Sequence, residues 1–186
     1  MDMTAFSHGQ LQSKLWLCEQ LEPHLPDKSH ALIMGSWYNV LGFLLLARKQ
    51  DKFSLITGID KKEESIEIAD KINNGWMISD NKKIRNICKD VETLTSNRFQ
   101  IYDLIINTSC EHMDVSWYNK IESGQLLCLQ TCNLVTDDPN WNITNPSPTM
   151  DEFKSKYPMS QILFEGEKVF DYGHLNYTRY MLIGRK

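Results

Sequence analysis

Asn107-Thr108-Ser109-Cys110-Glu111-His112-Met113 places hydrogen-bonding, thiol and titratable groups directly after an apolar run, Leu104-Ile105-Ile106. A buried strand followed by such a run is where open α/β sheets carry chemistry, at the carboxyl ends of the strands. His112 or Glu111 is the candidate general base. Being adjacent, the two diverge by about 100° on a helix, so only one would face a given ligand atom. The competing reading is local: Thr108 or Ser109 caps a helix and His112 lies on the surface. Three further positions have types suited to a nucleoside-like ligand. Gly35-Ser36-Trp37-Tyr38 follows Ala31-Leu32-Ile33-Met34, and its glycine permits a sharp turn and close approach of a ligand. Asp60 follows Phe53-Ser54-Leu55-Ile56-Thr57-Gly58-Ile59; a carboxylate there can accept both hydrogens of a ribose diol, or cap the helix that begins Lys-Lys-Glu-Glu. Asp90 can meet the exocyclic amine of a purine while Val91 packs on the ring, or it can serve as a capping or loop aspartate.

Positioning these residues requires strands that alternate with helices. The continuous apolar run Ala31 to Met34 reads as a strand buried on both faces. Val40 to Ala47, with Arg48 and Lys49 in the last turn, reads as a buried helix with a cationic end. Strand, glycine turn and helix open a nucleotide-binding βαβ unit, although Gly35 and Gly42 do not make the GxGxxG pattern. Further strands are read at 53–59, 83–90, 102–108 and 125–134, with helices at 63–72, ended by Asn73-Asn74-Gly75, and at 113–122. Trp76 to Asn81 is ambiguous. Residues 7–25 carry Leu11, Leu15, Trp16, Cys18 and Leu21 at helical spacing, with Ser7 as cap and Pro23 and Pro26 as stops. The polar side chains of this helix form either a solvated face or a lid that sets His8, Gln10 or Lys14 over a ligand at Gly35. Residues 137–149, with three prolines, three asparagines and Trp141, form a loop long enough to be a wall or lid of a pocket. Thr149 and Glu152 make a capping box for a helix to about Tyr157. Gln161 to Phe170 and Tyr177 to Gly184 pair antiparallel across a short connection.

A length of 186 residues suits one domain, with residues 1–29 as an N-terminal helix or lid and 30–186 as the core. A net charge of −4 with no basic stretch argues against a nucleic-acid-binding surface. No apolar run is long enough to span a bilayer, and the first residues lack a basic and then apolar leader, so a cytoplasmic location is expected. Five widely spaced cysteines, an odd count, are expected as free thiols. Cys128 and Cys132, four apart, with Cys110 before Glu111-His112, are weighed as zinc ligands; two of the cysteines lie in apolar strand-like runs, where small buried thiols are common, and no metal is expected.

Five strands alternating with helices and then a terminal hairpin resemble the class I S-adenosylmethionine-dependent methyltransferase family over nearly the whole chain. The resemblance implies an α/β fold, a Rossmann-like, seven-stranded, mostly parallel sheet with an antiparallel C-terminal hairpin and helices on both faces. It implies S-adenosyl-L-methionine as cofactor and a small-molecule substrate, with the oligomeric state left open. By position, Gly35-Ser36-Trp37-Tyr38 would contact the cofactor's methionine part, Asp60 the ribose, and Asp90 with Val91 the adenine. Asn107 and Thr108 would lie along the cofactor, with Glu111 and His112 facing the methyl group and substrate. His8, Gln10, Lys14, Tyr177 and Arg179 would grip a substrate, an anionic one where the group is cationic; the alternative for Arg179 is to face solvent. The sequence departs from the family's E/DxGxGxG pattern, having Ile33-Met34-Gly35-Ser36-Trp37-Tyr38-Asn39. An acidic residue and two glycines are therefore replaced, and Trp37 or Tyr38 would narrow the pocket or close over the sulfonium. The Asn/Asp-Pro-Pro-Tyr pattern of amino-directed DNA methyltransferases is replaced by Asn107-Thr108-Ser109-Cys110, which lowers base amines as substrates. Other chemistry on the same cofactor, or a binding protein on the same fold, remain the alternatives.

Overall fold

The computed structural model describes residues 1–77, 82–135, 142–173 and 176–186. Seven strands form one sheet: β1 (Ser29–Met34), β2 (Phe53–Asp60), β3 (Ile84–Cys88), β4 (Leu104–Asn107), β5 (Leu126–Cys132), β6 (Gln161–Asp171) and β7 (Asn176–Arg185). Their spatial order is β3-β2-β1-β4-β5-β7-β6. The first five pair in parallel, and β7 runs antiparallel between β5 and β6. The chain order reverses direction at β1 and β4, so the carboxyl ends of these two strands flank a crevice where α/β sheets bind ligands.

Strand periodicity divides the core. Ala31 and Ile33 of β1 enter one apolar cluster, while Leu32 and Met34 enter the other on the opposite face. The first cluster is closed by α1 (His8–Leu21) through Leu17, Cys18 and Leu21, and by α2 (Val40–Lys49) through Leu41, Leu45 and Leu46. The second is aromatic: Phe99, Trp117, Phe153 and Tyr157 are fully buried there. Trp117 stacks on Tyr157 with centroids 5.5 Å apart. Three short helices supply these rings, α4 (Ser96–Phe99), α5 (Ser116–Asn119) and α6 (Met150–Lys156), with Tyr157 at the C-cap of the last. Thr149 Oγ1 accepts from the Glu152 amide at 3.2 Å, the capping bond expected at the start of α6.

Several boundaries differ from the sequence reading. The helix expected to stop before Asn73-Asn74-Gly75 instead runs through them, as α3 (Glu63–Met77). Asn73 is fully buried and its amide donates back to the Ala69 carbonyl at 2.8 Å, so it stays in the helix rather than ending it. Trp76 and Met77 then pack on the first cluster. The helix expected over 113–122 contracts to α5, because Cys110–His112 forms a 3₁₀ turn and Met113 takes an extended conformation. Ser7 occupies the cap position of α1 but its hydroxyl makes no capping bond. Within the ambiguous stretch 76–81, residues 78–81 lie outside the described residues, as do 137–141 of the long loop, Trp141 among them, and His174 and Leu175 of the hairpin connection. Among the described residues, no helix is long and apolar enough to cross a membrane, and no group of three His, Cys, Asp or Glu side chains could hold a metal ion. All five cysteines are free thiols.

Candidate functional site

The turn after β1 is left-handed at every second residue: φ is +57° at Gly35, +50° at Trp37 and +48° at Asn39. These are the three positions at which the family pattern has glycines. A left-handed residue with a Cβ costs roughly 1–2 kcal/mol, so the turn must be held by its surroundings. The Ser36 amide donates to the Ile59 carbonyl at 2.9 Å, and the Trp37 amide donates to Asp60 Oδ2 at 2.9 Å. Asn39, fully buried, does the rest. Its Oδ1 accepts from the Gly42 amide, capping α2, and its Nδ2 donates to Asn86 Oδ1 of β3 at 2.7 Å. Room for this side chain comes from two other glycines. A Cβ on Gly42 would lie 2.5 Å from Asn39 Oδ1, and one on Gly58 would lie 2.5 Å from Asn39 Nδ2. Above the turn, Tyr38 is buried beside Trp37, centroids 4.9 Å apart, and its hydroxyl accepts from the Asp2 amide.

Asp60 ends β2 next to this turn, as Met34 and Ile59 are register partners. Its Oδ2 takes the Trp37 amide and its Oδ1 takes the Lys62 amide at 3.0 Å. Each oxygen accepts one backbone hydrogen and keeps a further lone pair. The capping and ligand-binding readings of Asp60 are therefore compatible. Asp90 caps its own short turn through Oδ1 and the Glu92 amide, and Val91 beside it is buried.

The turn after β4 forms the opposite wall. Glu111 is 2 % exposed; its Oε1 lies 3.5 Å from Arg179 Nη2 and 3.8 Å from His112 Nε2, while Oε2 has no partner among the described residues. Arg179 is buried on β7, donates Nη1 to the Thr108 carbonyl at 3.1 Å, and leaves Nε without a partner among the described residues. Burial disfavours its charge, but Glu111 beside it, with Cys132 and Tyr177, more than offsets this and holds the guanidinium pKa above its ordinary value. His112 Nδ1 lies 2.9 Å from the Asn142 carbonyl. A carbonyl only accepts, so Nδ1 carries a proton and Nε2 is the nitrogen turned to the cleft wall beside Glu111. The long loop is sewn to this turn where it is described: the Thr144 and Asn145 amides both donate to the Glu111 carbonyl at 3.0 Å. From above, α1 contributes Lys14, whose amine donates to Gln10 Oε1 at 2.6 Å. Burial, then the nearby Arg179 charge, lowers the Lys14 pKa to about 7.

These walls enclose a cleft of about 430 Å³, within the range of small-molecule sites. Of the residues singled out in the sequence, Gln10, Lys14, Gly35, Ser36, Trp37, Tyr38, Asp60, Asp90, Val91, Thr108, Glu111, His112 and Arg179 line it. The structure does not bring His8, Asn107 or Tyr177 to it. His8 is exposed at the start of α1. Asn107 is fully buried and turns its Oδ1 to the Ser109 amide at 2.9 Å. Tyr177 stacks on Phe170, centroids 5.2 Å apart. Sequence reasoning missed Ser13 and Gln130, which meet across the cleft roof at 3.1 Å, and gave Asn39 no role. Polar residues inside an otherwise apolar strand or helix face were the available signal for Gln130 and Ser13.

No family model and no curated protein sequence matches the chain. Solved structures match its fold. A putative sarcosine dimethylglycine methyltransferase from Galdieria sulphuraria superposes with TM-score 0.67 at 11% identity, covering 95% of this chain and 86% of that one. Magnesium protoporphyrin IX methyltransferase (ChlM) from Synechocystis PCC 6803 with bound SAH gives 0.65 at 12%, covering 95% and 83%. The [4+2]-cyclase SpnF gives 0.67 at 13%, covering 95% and 82%. At these identities the likeness is one of architecture: the chain has the class I S-adenosylmethionine-dependent methyltransferase fold.

Proposed function

We propose that this chain is an S-adenosyl-L-methionine-dependent methyltransferase acting on a small molecule by in-line methyl transfer. One observation carries the reading: the left-handed turn at 35–39 and the Asp60 carboxylate are joined at one end of a cleft whose other end holds Glu111, His112 and Arg179. The residues present fit the cofactor. Asp60 offers spare lone pairs to a ribose diol, Asp90 and Val91 suit an adenine, and Ser36 Oγ is a buried hydroxyl without a partner among the described residues. Ile33, at the position of the family's acidic residue, supplies no counter-charge to an ammonium.

When bound, the cofactor supplies a methyl group on a sulfonium: the acceptor's lone pair takes the methyl carbon and the C–S electron pair stays on sulfur. The chain's part is alignment and proton handling. Trp37, Tyr38 and Met113 give the cleft an aromatic and apolar part of its lining. His112 Nε2, oriented by the Asn142 carbonyl, accepts the proton of an amine or hydroxyl acceptor; Glu111 is the second candidate base. Calorimetry with S-adenosylmethionine and S-adenosylhomocysteine tests binding, and mass spectrometry of the products tests chemistry. S-adenosylhomocysteine as product supports methyl transfer, whereas methylthioadenosine replaces it with cleavage or transfer of the aminocarboxypropyl arm. The fold is shared by a [4+2]-cyclase, so it does not fix the reaction; a protein that bound the cofactor without transferring its methyl would form neither product.

A further inference from the structure

Strand order separates the two ends of the cleft. Asp60 lies on β2 and Arg179 on β7, four places apart in the sheet, roughly 19 Å at about 4.8 Å per strand. The residues suited to a nucleoside are all at the β2–β3 end. The β5–β7 end is roofed by α1, held there by the Ser13 hydroxyl and the Gln130 amide of β5. Two basic side chains line that end of the cleft, Lys14 from the roof and Arg179 from the floor. One buried carboxylate, Glu111, faces them: its Oε1 lies 3.5 Å from Arg179 Nη2, and its Oε2 has no partner among the described residues. Among the described residues, Lys14 bonds only to neutral oxygens of Gln10, and the buried Arg179 Nε bonds to nothing. Two basic groups with unspent donors against a single carboxylate, half of it already turned to Arg179, leave room for a second anion.

We infer that this end binds the carboxylate of the methyl acceptor, held between Lys14 of α1 and Arg179 of β7. The inference rests on the methyltransferase reading for the word acceptor, but the carboxylate site itself is tested without turnover. A carboxylate is favoured over larger anions because the roof and floor groups converge within a cleft of about 430 Å³ that must also hold the cofactor. The titratable groups sharing this wall are Lys14 on α1, Glu111 and His112 on the turn after β4, and Arg179 on β7, with Tyr177 and Cys132 behind Arg179. Lys14 responds when an anion arrives. Its amine is drawn toward neutrality by burial and by Arg179, with a pKa of about 7, and a carboxylate alongside favours the ammonium. Binding then takes up a proton, and affinity falls as pH rises above about 7.

The test is titration calorimetry on the full chain saturated with S-adenosylhomocysteine. The probes are acetate and benzoate, their neutral isosteres acetamide and benzamide, and inorganic phosphate, each run in buffers of different ionisation enthalpy. The expected result is that a carboxylate binds at least tenfold more tightly than its amide, with proton uptake in slightly alkaline buffer. Lys14→Met should abolish the uptake and weaken the carboxylate tenfold or more. Proton uptake by the unmodified protein keeps the test decisive should that variant fold poorly. Equal affinity for carboxylate and amide, absent uptake, or tighter binding of phosphate than of either carboxylate overturns the inference. If Lys14→Met weakens S-adenosylhomocysteine itself and no carboxylate adds to the saturated protein, the pair holds the cofactor's own carboxylate and the inference falls. Failure of S-adenosylhomocysteine to bind would instead remove the methyltransferase reading. The carboxylates and amides would then be titrated into the free chain, where tenfold preference for the carboxylate sustains the anion site and equal affinity overturns it.

Discussion

Asp60 and Lys14 are the two residues whose local chemistry gives the sharpest tests. Asp60→Ala removes a charged acceptor from the ribose end and should weaken S-adenosylhomocysteine binding by about 1.5–3 kcal/mol, read by calorimetry. An unchanged dissociation constant would leave Asp60 with its two backbone partners only, the Trp37 and Lys62 amides. Lys14 bears on stability as well. Its pKa is about 7 in the folded chain and near its ordinary 10.5 when unfolded. Between those values the unfolded chain holds more protons, so stability rises with pH across that window, and the cost of the amine is felt in full below it. Lys14→Met should therefore raise Tm most at about pH 6.5, with the gain shrinking toward about pH 10. A gain that grew with pH would contradict the placement of the amine.

Among the elements, the turn between β1 and α2 depends on Asn39. Asn39→Ala would lose the cap on α2, leave Asn86 Oδ1 without its donor and keep a left-handed residue. Together these should cost about 2–4 kcal/mol in urea denaturation. Thr149→Ala at the start of α6 should cost about 1 kcal/mol, the worth of one capping side chain. A smaller effect at Asn39 than at Thr149 would show that the backbone bonds Ser36–Ile59 and Trp37–Asp60 hold the turn unaided. The contrast also shows why one element is readable in the sequence and the other is not. Thr-x-x-Glu is a local pattern whose two partners are three residues apart. Asn39 works through residues 42, 58, 73 and 86, and no window of sequence contains that set. Asn73 misleads for a related reason: its bond back to Ala69 suits a helix interior, whereas Asn-Asn-Gly by composition suits an end.

For the molecule as a whole, the alternation of strands with helices and the closing hairpin are legible, because buried parallel strands read as apolar runs and each ends at a turn residue. So is much of the cleft wall, since the polar residues at the carboxyl ends of β1, β2 and β4 face one crevice by topology alone. The roof is less legible. Whether Gln10 and Lys14 or His8 turn inward depends on how α1 rolls over β5, and that is set by the buried Ser13–Gln130 pair rather than by spacing. The packing of both sheet faces gives a global test. Cys88 is exposed while Cys110 and Cys128 are buried, their thiols pushed well above the ordinary range by desolvation first. A thiol reagent should modify Cys88 rapidly and leave Cys110 and Cys128 unmodified until unfolding, as peptide mass mapping would read; early modification of the buried pair would mean that the core opens locally.

The Asn39 knot also constrains how this chain's descendants can drift. Positions 39, 42 and 58 are sterically coupled: an asparagine at the first needs the other two without side chains, since a Cβ at either would lie 2.5 Å from its amide group. A relative with alanine or valine at 58 should therefore lack asparagine at 39 and carry a rearranged Ser36 as well; sequences that keep Asn39 beside a side chain at 42 or 58 would contradict the coupling.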